Sequence, residues 1–335
     1  MSKRNKNYFF VVTGLQVINC VEYIKNYQLD KGYNVLFVCN KKINSRLEVL
    51  SLIKNHYFDE VIFMPPTFLL NKKIARYNFV LINLISFFKI FLFKFNEGHL
   101  VGNDLNAFYR YACKKSKNVT ISFIDDGSGS VNYKAENPFK YFKNYKNKLL
   151  YKFLRINNYD ILFDQYFTSY GSFFLQKFKY KIVNNNFNYL KNISFSNIND
   201  YIIFIGDPHV ERGYISEDNY LDILVKIRDM FQKEIIYVPR IFESTKKLKK
   251  IEQIMSVQRN DFPIEIYLSS LEKLPNRIIT FHSSALFNVR NLFGENIDYH
   301  YIKLPNYTNE VHMKNLQKIW NDLSSFSKEI VLCQK

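Results

Sequence analysis

The segment Tyr8–Cys39, YFFVVTGLQVINCVEYIKNYQLDKGYNVLFVC, holds one full strand–helix–strand unit. Tyr8 to Val12 is an apolar run of strand length. Thr13 and Gly14 interrupt it, and from Gln16 to Lys25 the residues Val17, Ile18, Val21 and Ile24 gather on one side of an amphipathic helix. Gly32 marks a turn, and Asn34 to Cys39 is again a strand. A strand that returns through a helix pairs parallel to the first, so the order predicts an α/β fold with a parallel sheet.

The pattern repeats outward. Val61 to Met64 reads as a strand stopped by Pro65 and Pro66, and His99 to Gly102 and Val119 to Ile124 supply two more. Phe79 to Phe95 is very apolar but carries Lys89 and Lys94, and it is shorter than the roughly 20 residues of a membrane span. It is expected to be a core helix, with a helix lying on an acidic membrane surface as the sharper alternative. From Gly127 to Asn197 the chain is basic and rich in Tyr, Phe and Asn, with a helix expected over Tyr141–Leu154 and a strand over Gln165–Ser169. A second series starts at Tyr201–Ile205. Helices follow at Glu217–Gln232 and Thr245–Met255, strands at Glu234–Val238, Pro263–Tyr267 and Arg277–Phe281, and a last helix at His312–Phe326. The 335 residues therefore suit two Rossmann-like domains, 1–197 and 198–335.

Hydrophobic residues make up 47% of the chain, with 32 Phe and 25 Tyr, which is ample for two cores. Cys20, Cys39, Cys113 and Cys333 show no C-x-x-C spacing, and the apolar run after Lys3, Arg4 and Lys6 breaks too early for an export signal. A cytoplasmic protein is expected. The formal charge of +17 attracts polyanions in general: nucleic acid, acidic lipid or acidic glycan. No helix-turn-helix, zinc-finger or RNP-type pattern accompanies it, so nucleic acid is not an expected partner.

Three segments place polar residues where buried strands end, the position at which open α/β sheets bind ligands. In Ile121-Ser-Phe-Ile-Asp125-Asp126-Gly127-Ser128, a strand delivers two carboxylates into a glycine turn. Side chains alternate along an extended chain, so one aspartate can face a crevice while the other holds the loop. Like charge and partial burial would raise the outward carboxyl and make it a better base. In Phe281-His282-Ser283-Ser284-Ala285, a strand gives way to a helix; either serine can cap it, and helix-start amides joined by hydroxyls suit a phosphate. In Tyr237-Val-Pro239-Arg240, a proline turn presents a guanidinium whose planar fork suits phosphate oxygens. An Asp-Gly turn, a capping serine and a surface arginine would explain each separately. No D-x-D pair, P-loop or G-x-G-x-x-G fingerprint is present, so neither a metal site nor a cofactor is expected.

Together these segments resemble the lipooligosaccharide sialyltransferases of glycosyltransferase family 52, and more distantly the bacterial polysialyltransferases and Pasteurella-type sialyltransferases. Val12-Thr13-Gly14-Leu15-Gln16-Val17-Ile18-Asn19 is similar to the family's Thr-Pro-x-Gln-x-x-Asn-Ala opening, with Gly14 in place of proline. Val101-Gly102-Asn103-Asp104 followed by Ile124-Asp125-Asp126-Gly127 resembles its acidic motif. Phe204-Ile205-Gly206-Asp207-Pro208 and Ser283-Ser284-Ala285-Leu286 resemble its later blocks.

The resemblance implies a GT-B fold, two Rossmann-like domains facing each other across a cleft. Its first domain would bind the acceptor through Thr13, Gln16, Asn103, Gly127 and Ser128, with Asp126 as the base and Asp125 beside it. Its second would bind CMP-sialic acid through Gly206, Asp207, Pro239, Arg240, His282, Ser283 and Ser284. Transfer would invert the anomeric centre without metal, the acceptor being a galactose-type sugar of a bacterial lipooligosaccharide or capsule. The family has a His-Pro motif where this chain has Pro239-Arg240-Ile241, which puts Arg240 in the histidine's position. Arginine cannot act as a general acid near neutral pH but can neutralise a departing phosphate. A different nucleotide-sugar donor and a noncatalytic binder of acidic glycan or membrane stand as alternatives. Attachment to the inner face of the cytoplasmic membrane and a homodimer complete the expected associations.

Overall fold

A computed structural model describes residues 5–39, 57–64, 88, 90–103, 106–126, 163–170, 180–193, 197–240, 242–260, 262–281, 283, 285–304, 317 and 319–332. The chain forms two compact units, Met1–Tyr189 and Leu190–Lys335. The division falls after Tyr189 rather than after Asn197, because Tyr189 is still fastened to the first unit. Its N–H donates to Glu22 Oε2 at 3.1 Å, and its hydroxyl meets that of Tyr57.

In the first unit the elements are β1 (Lys6–Val11), α1 (Gly14–Asn26), β2 (Tyr33–Val38), β3 (Glu60–Phe63), β4 (His99–Gly102), α2 (Ala107–Lys115), β5 (Thr120–Ile124), β6 (Gln165–Thr168) and β7 (Lys181–Asn184). The described strands form one sheet of seven in the order β3-β2-β1-β4-β5-β6-β7. Every pairing is parallel. β1 runs in register with β2 from Lys6–Tyr33 to Val11–Val38, which bears out the reading of Tyr8–Cys39. Its apolar residues are buried to the last: Phe9, Phe10 and Val11 are fully enclosed, and the Phe10 and Phe37 rings stack at 4.5 Å. Thr13 caps α1, its hydroxyl accepting from Gln16 N–H. α2 presses its Tyr109 ring so closely on β4 that a Cβ on Gly102 would lie 2.6 Å from it.

A short helix, α3 (Asn188–Ile193), leads into the second unit. There β8 (Asn197–Ile205), α4 (Glu217–Phe231), β9 (Ile235–Val238), α5 (Thr245–Ile251), β10 (Ser256–Val257), α6 (Ile264–Ser269), β11 (Lys273–Thr280), α7 (Ala285–Phe293), β12 (Asp298–Tyr301) and β13 (Lys328–Glu329) follow. The six-stranded sheet has the order β10-β9-β8-β11-β12-β13, again wholly parallel. In both sheets the first strand of the unit lies inside, and the chain reverses its direction of travel on either side of it. That is the Rossmann order, with a switch point between β1 and β4 and another between β8 and β11.

One expected strand is a helix. Ile264-Glu265-Ile266 alternates like a strand, but Pro263 precedes a helical turn closed by Tyr267 N–H to Pro263 O at 3.0 Å. The buried positions are Glu265 and Leu268, three apart on one helical face, while Ile264 and Ile266 are only partly buried. The helix expected over 141–154 lies outside the described residues, as does most of that over 79–95. Of the last helix, 319–323 is described and helical. Among the described residues no helix is long and apolar enough to cross a membrane.

Candidate active site

The two aspartates that follow β5 part company. Asp125 is 1% exposed, and both its carboxylate oxygens are engaged. Oδ1 accepts from Asn19 Nδ2 at 3.1 Å; Oδ2 accepts from Thr168 Oγ1 at 2.7 Å and from Ser169 N–H at 3.0 Å. The Asn19 amide also reaches the Asp125 carbonyl and is itself held by Asn185 at 2.9 Å. From β4, Asn103 donates to Ile124 O at 3.1 Å. Asp125 thus ties α1, β5 and the ends of β6 and β7 together.

Asp126, the next residue, keeps an exposed surface. Thr13 donates to its Oδ1 at 2.7 Å, so the hydroxyl that caps α1 also steadies this carboxylate. Gln16 hydrogen-bonds Asp126 as well, while its own Oε1 accepts from Val12 N–H at 2.6 Å. Desolvation pushes the Asp126 carboxyl up and the Asp125 charge adds to it, against the Thr13 and Gln16 bonds; the balance lies at about 6. Such a group is mostly ionised at neutral pH yet holds a proton better than an ordinary carboxylate, as a general base requires. Thr13, Gln16 and Asn103 therefore gather at the first switch point around the aspartates; Gly127 and Ser128 lie outside the described residues.

At the second unit's switch point, β8 ends in Gly206-Asp207. A Cβ on Gly206 would fall 2.3 Å from Glu243 Oε1 and 2.4 Å from the Tyr237 hydroxyl, so only glycine fits. Asp207 is buried, its Oδ1 3.6 Å from Arg240 Nη1 and its Oδ2 3.8 Å from His209 Nε2. Arg240 follows β9, the neighbour of β8, and its side chain remains 38% exposed. Its backbone is pinned by Glu243, whose Oε1 accepts from Arg240 N–H at 2.7 Å. Glu243 Oε2 receives the Tyr237 hydroxyl at 2.5 Å and Lys247 Nζ at 2.8 Å. Lys247 is fully buried and also meets Glu211 at 3.0 Å and Asp207 O at 3.3 Å. One ammonium thus staples the loop after β8 to the loop after β9. Pro239 opens the latter.

Beyond β11, Ser283 is buried and its hydroxyl accepts from Ala285 N–H at 3.3 Å, capping α7. His282 and Ser284 lie outside the described residues. β9 and β11 flank β8, so the arginine turn and the serine turn leave the same end of the sheet on either side of Gly206-Asp207.

Sequence reasoning gave no role to Asn19, Thr168 and Asn185 in the first unit, or to Glu211, Glu243, Lys247 and Glu265 in the second. Asn19 carried a signal: an amide amid Val17, Ile18, Cys20 and Val21 on a helix face. Glu265 did not. It is buried, accepts from Asn288 Nδ2 at 2.7 Å, and has its carboxyl raised by desolvation against the Asn288 bond and the Arg240 charge.

No protein-family model and no curated protein matches the chain by sequence. Solved structures do match it by shape. A UDP-glucosyltransferase from Polygonum tinctorium capable of glucosylating indoxyl matches at TM-score 0.51 and 12% identity, over 100% of this chain and 87% of its own. TcCGT1 in complex with UDP matches at TM-score 0.51 and 10% identity, over 98% and 86%. The S. aureus MnaA–UDP structure matches at TM-score 0.51 and 12% identity, over 96% and 87%. With two parallel sheets in Rossmann order, these matches give the fold: α/β of the GT-B type, with two Rossmann-like domains.

Proposed function

We propose that the chain is an inverting glycosyltransferase that moves sialic acid from CMP-sialic acid to a galactose-type sugar of a bacterial surface glycan. The observation that carries the reading is Asp126: an accessible carboxylate at a sheet's switch point, steadied by Thr13 and Gln16 and raised to about 6. In this reading Asp126 takes the proton from the acceptor hydroxyl. The oxygen then bonds to the anomeric carbon while the bond from that carbon to the phosphate oxygen breaks. Arg240 neutralises the departing CMP phosphate, and the α7 start with Ser283 and Ser284 receives it. Transfer by this route needs neither metal nor cofactor, since the arginine supplies the charge. The family 52 resemblance supports the sialic acid donor.

A second reading keeps the reaction and changes the donor. Arg240 stands where the family has histidine, and two of the matched structures hold UDP, so a UDP-sugar is the natural replacement.

The experiment measures nucleotide release from CMP-sialic acid, UDP-glucose and UDP-N-acetylglucosamine, with a β-galactoside acceptor and with chelator present. Acceptor-dependent CMP release is expected, and Arg240→Ala should raise the donor KM about tenfold or more, the scale of a lost charge-assisted contact. Release of UDP alone would transfer the assignment to the second reading; no release from any donor would remove the transferase reading.

A further inference from the structure

Among the described residues of the first unit, three large apolar side chains face solvent: Phe88, Phe91 and Leu92, at 67%, 61% and 80% exposure. Their spacing of three and four places them on one face of a helical turn. The intervening Ile90 is fully buried in the core with Phe95, so the turn is anchored and its outward face is fixed. Exposed single apolar residues are ordinary, but three on one face need a partner or a use.

Their surroundings say which partner. Lys94, two residues on from Leu92, and Lys115 and Lys117, at and just beyond the end of α2, are exposed. Lys115 Nζ lies 5.3 Å from the Phe91 ring centre, and Lys117 N–H donates to Phe95 O at 2.8 Å, which joins the end of α2 to this stretch. Between Phe88 and Lys117, Glu97 is the one acidic residue among the described positions. A second copy would bring these lysines against their own image in a chain of formal charge +17, which repels. A bilayer carrying anionic headgroups satisfies both parts: aromatic and leucine side chains enter the interface, and lysines reach phosphates.

We propose that Phe88, Phe91 and Leu92, with Lys94, Lys115 and Lys117, form a docking face for an anionic phospholipid bilayer. The inference does not rest on the transferase reading. The full chain is sedimented with phosphatidylglycerol–phosphatidylcholine vesicles and, separately, with pure phosphatidylcholine vesicles. It should pellet with the first, poorly with the second, and less as salt rises. Phe91→Ser with Leu92→Ser should reduce partitioning at least about tenfold, and Lys115→Ser about fivefold. All three side chains are exposed, so circular dichroism should show an unchanged fold. No pelleting with phosphatidylglycerol vesicles, or undiminished pelleting of the double variant, would overturn the proposal. So would light scattering in which the double variant turns a dimer into a monomer while vesicle binding stays the same.

Discussion

At the end of β5 in the first unit, two neighbouring carboxylates are held by amides and hydroxyls, those of Asn19, Thr168, Thr13 and Gln16. At the end of β8 and β9 in the second, Glu211 and Glu243 are held by the buried ammonium of Lys247, and Arg240 lies beside Asp207. Both places are switch points of sheets with the same strand order. The difference lies in how charge is met. Neutral donors stabilise an anion without cancelling it, so Asp126 remains able to take a proton. In the second unit carboxylates are met by a full positive charge in the interior, and what reaches the surface is a guanidinium on a loop whose backbone is fixed. The same scaffold thus leaves an accessible carboxylate at one switch point and a partly exposed guanidinium at the other.

The largest effect should separate Asp126 from Asp125. Asp126→Asn keeps the shape and the Thr13 contact and removes the basicity; turnover should fall about 10³-fold, in the range of a lost general base, with a fold unchanged by circular dichroism. Asp125→Asn instead places an amide against the Ser169 N–H and should lower the stability of the first unit. Should Asp126→Asn turn over at the wild-type rate, the contrast between anchor and base disappears.

How much of this was readable varies with the kind of residue. Tyr8–Val12, Asn34–Cys39 and His99–Gly102 are strands where the apolar runs place them, because a parallel sheet covered on both faces needs unbroken apolar segments. Alternation predicted that Asp125 and Asp126 would face different ways, but which of them faced outward came from the family resemblance and not from the pattern. β7 (KIVN) and β12 (DYHY) are too short and polar to show that signal, and α2 lacks a long apolar stripe. Lys247 is the hardest case. It sits in Thr245-Lys-Lys-Leu-Lys-Lys-Ile251, which reads as a solvated helix, and nothing local distinguishes the one fully buried lysine from Lys250, which pairs with Glu217 at the surface. Its burial is decided by Glu211 and Glu243, brought to it by two different loops.

That difference sets the next test. Lys247→Met leaves Glu211 and Glu243 without their cation, and removal of one partner from a buried pair costs about 3 to 5 kcal/mol. Urea unfolding should show the loss in the second unit's transition. Lys250→Met removes an exposed pair and should change stability by less than about 1 kcal/mol. Equal effects at both positions would mean that the buried ammonium is no staple.

The smallest effect is the most direct measure of the first unit's carboxylate. Folding raises the Asp126 carboxyl from 3.8 to about 6, so the folded state prefers it protonated. The stabilisation from that proton is complete below about 4 and is lost as pH climbs through about 6. Asp126→Asn cannot titrate there. The two proteins should therefore differ by a constant amount at low pH, with the variant gaining on the wild type between pH 4 and 7. A shift of this size would correspond to about 3 kcal/mol in a dry interior, but the exposed edge of Asp126 admits solvent, and about 1 kcal/mol is expected. Turnover should rise over the same interval, because in the proposed transfer the ionised form is the base. A stability difference that stays flat from pH 4 to 8 would show that Asp126 is solvated like any surface acid, and its basicity would then be no greater than that of the other exposed carboxylates.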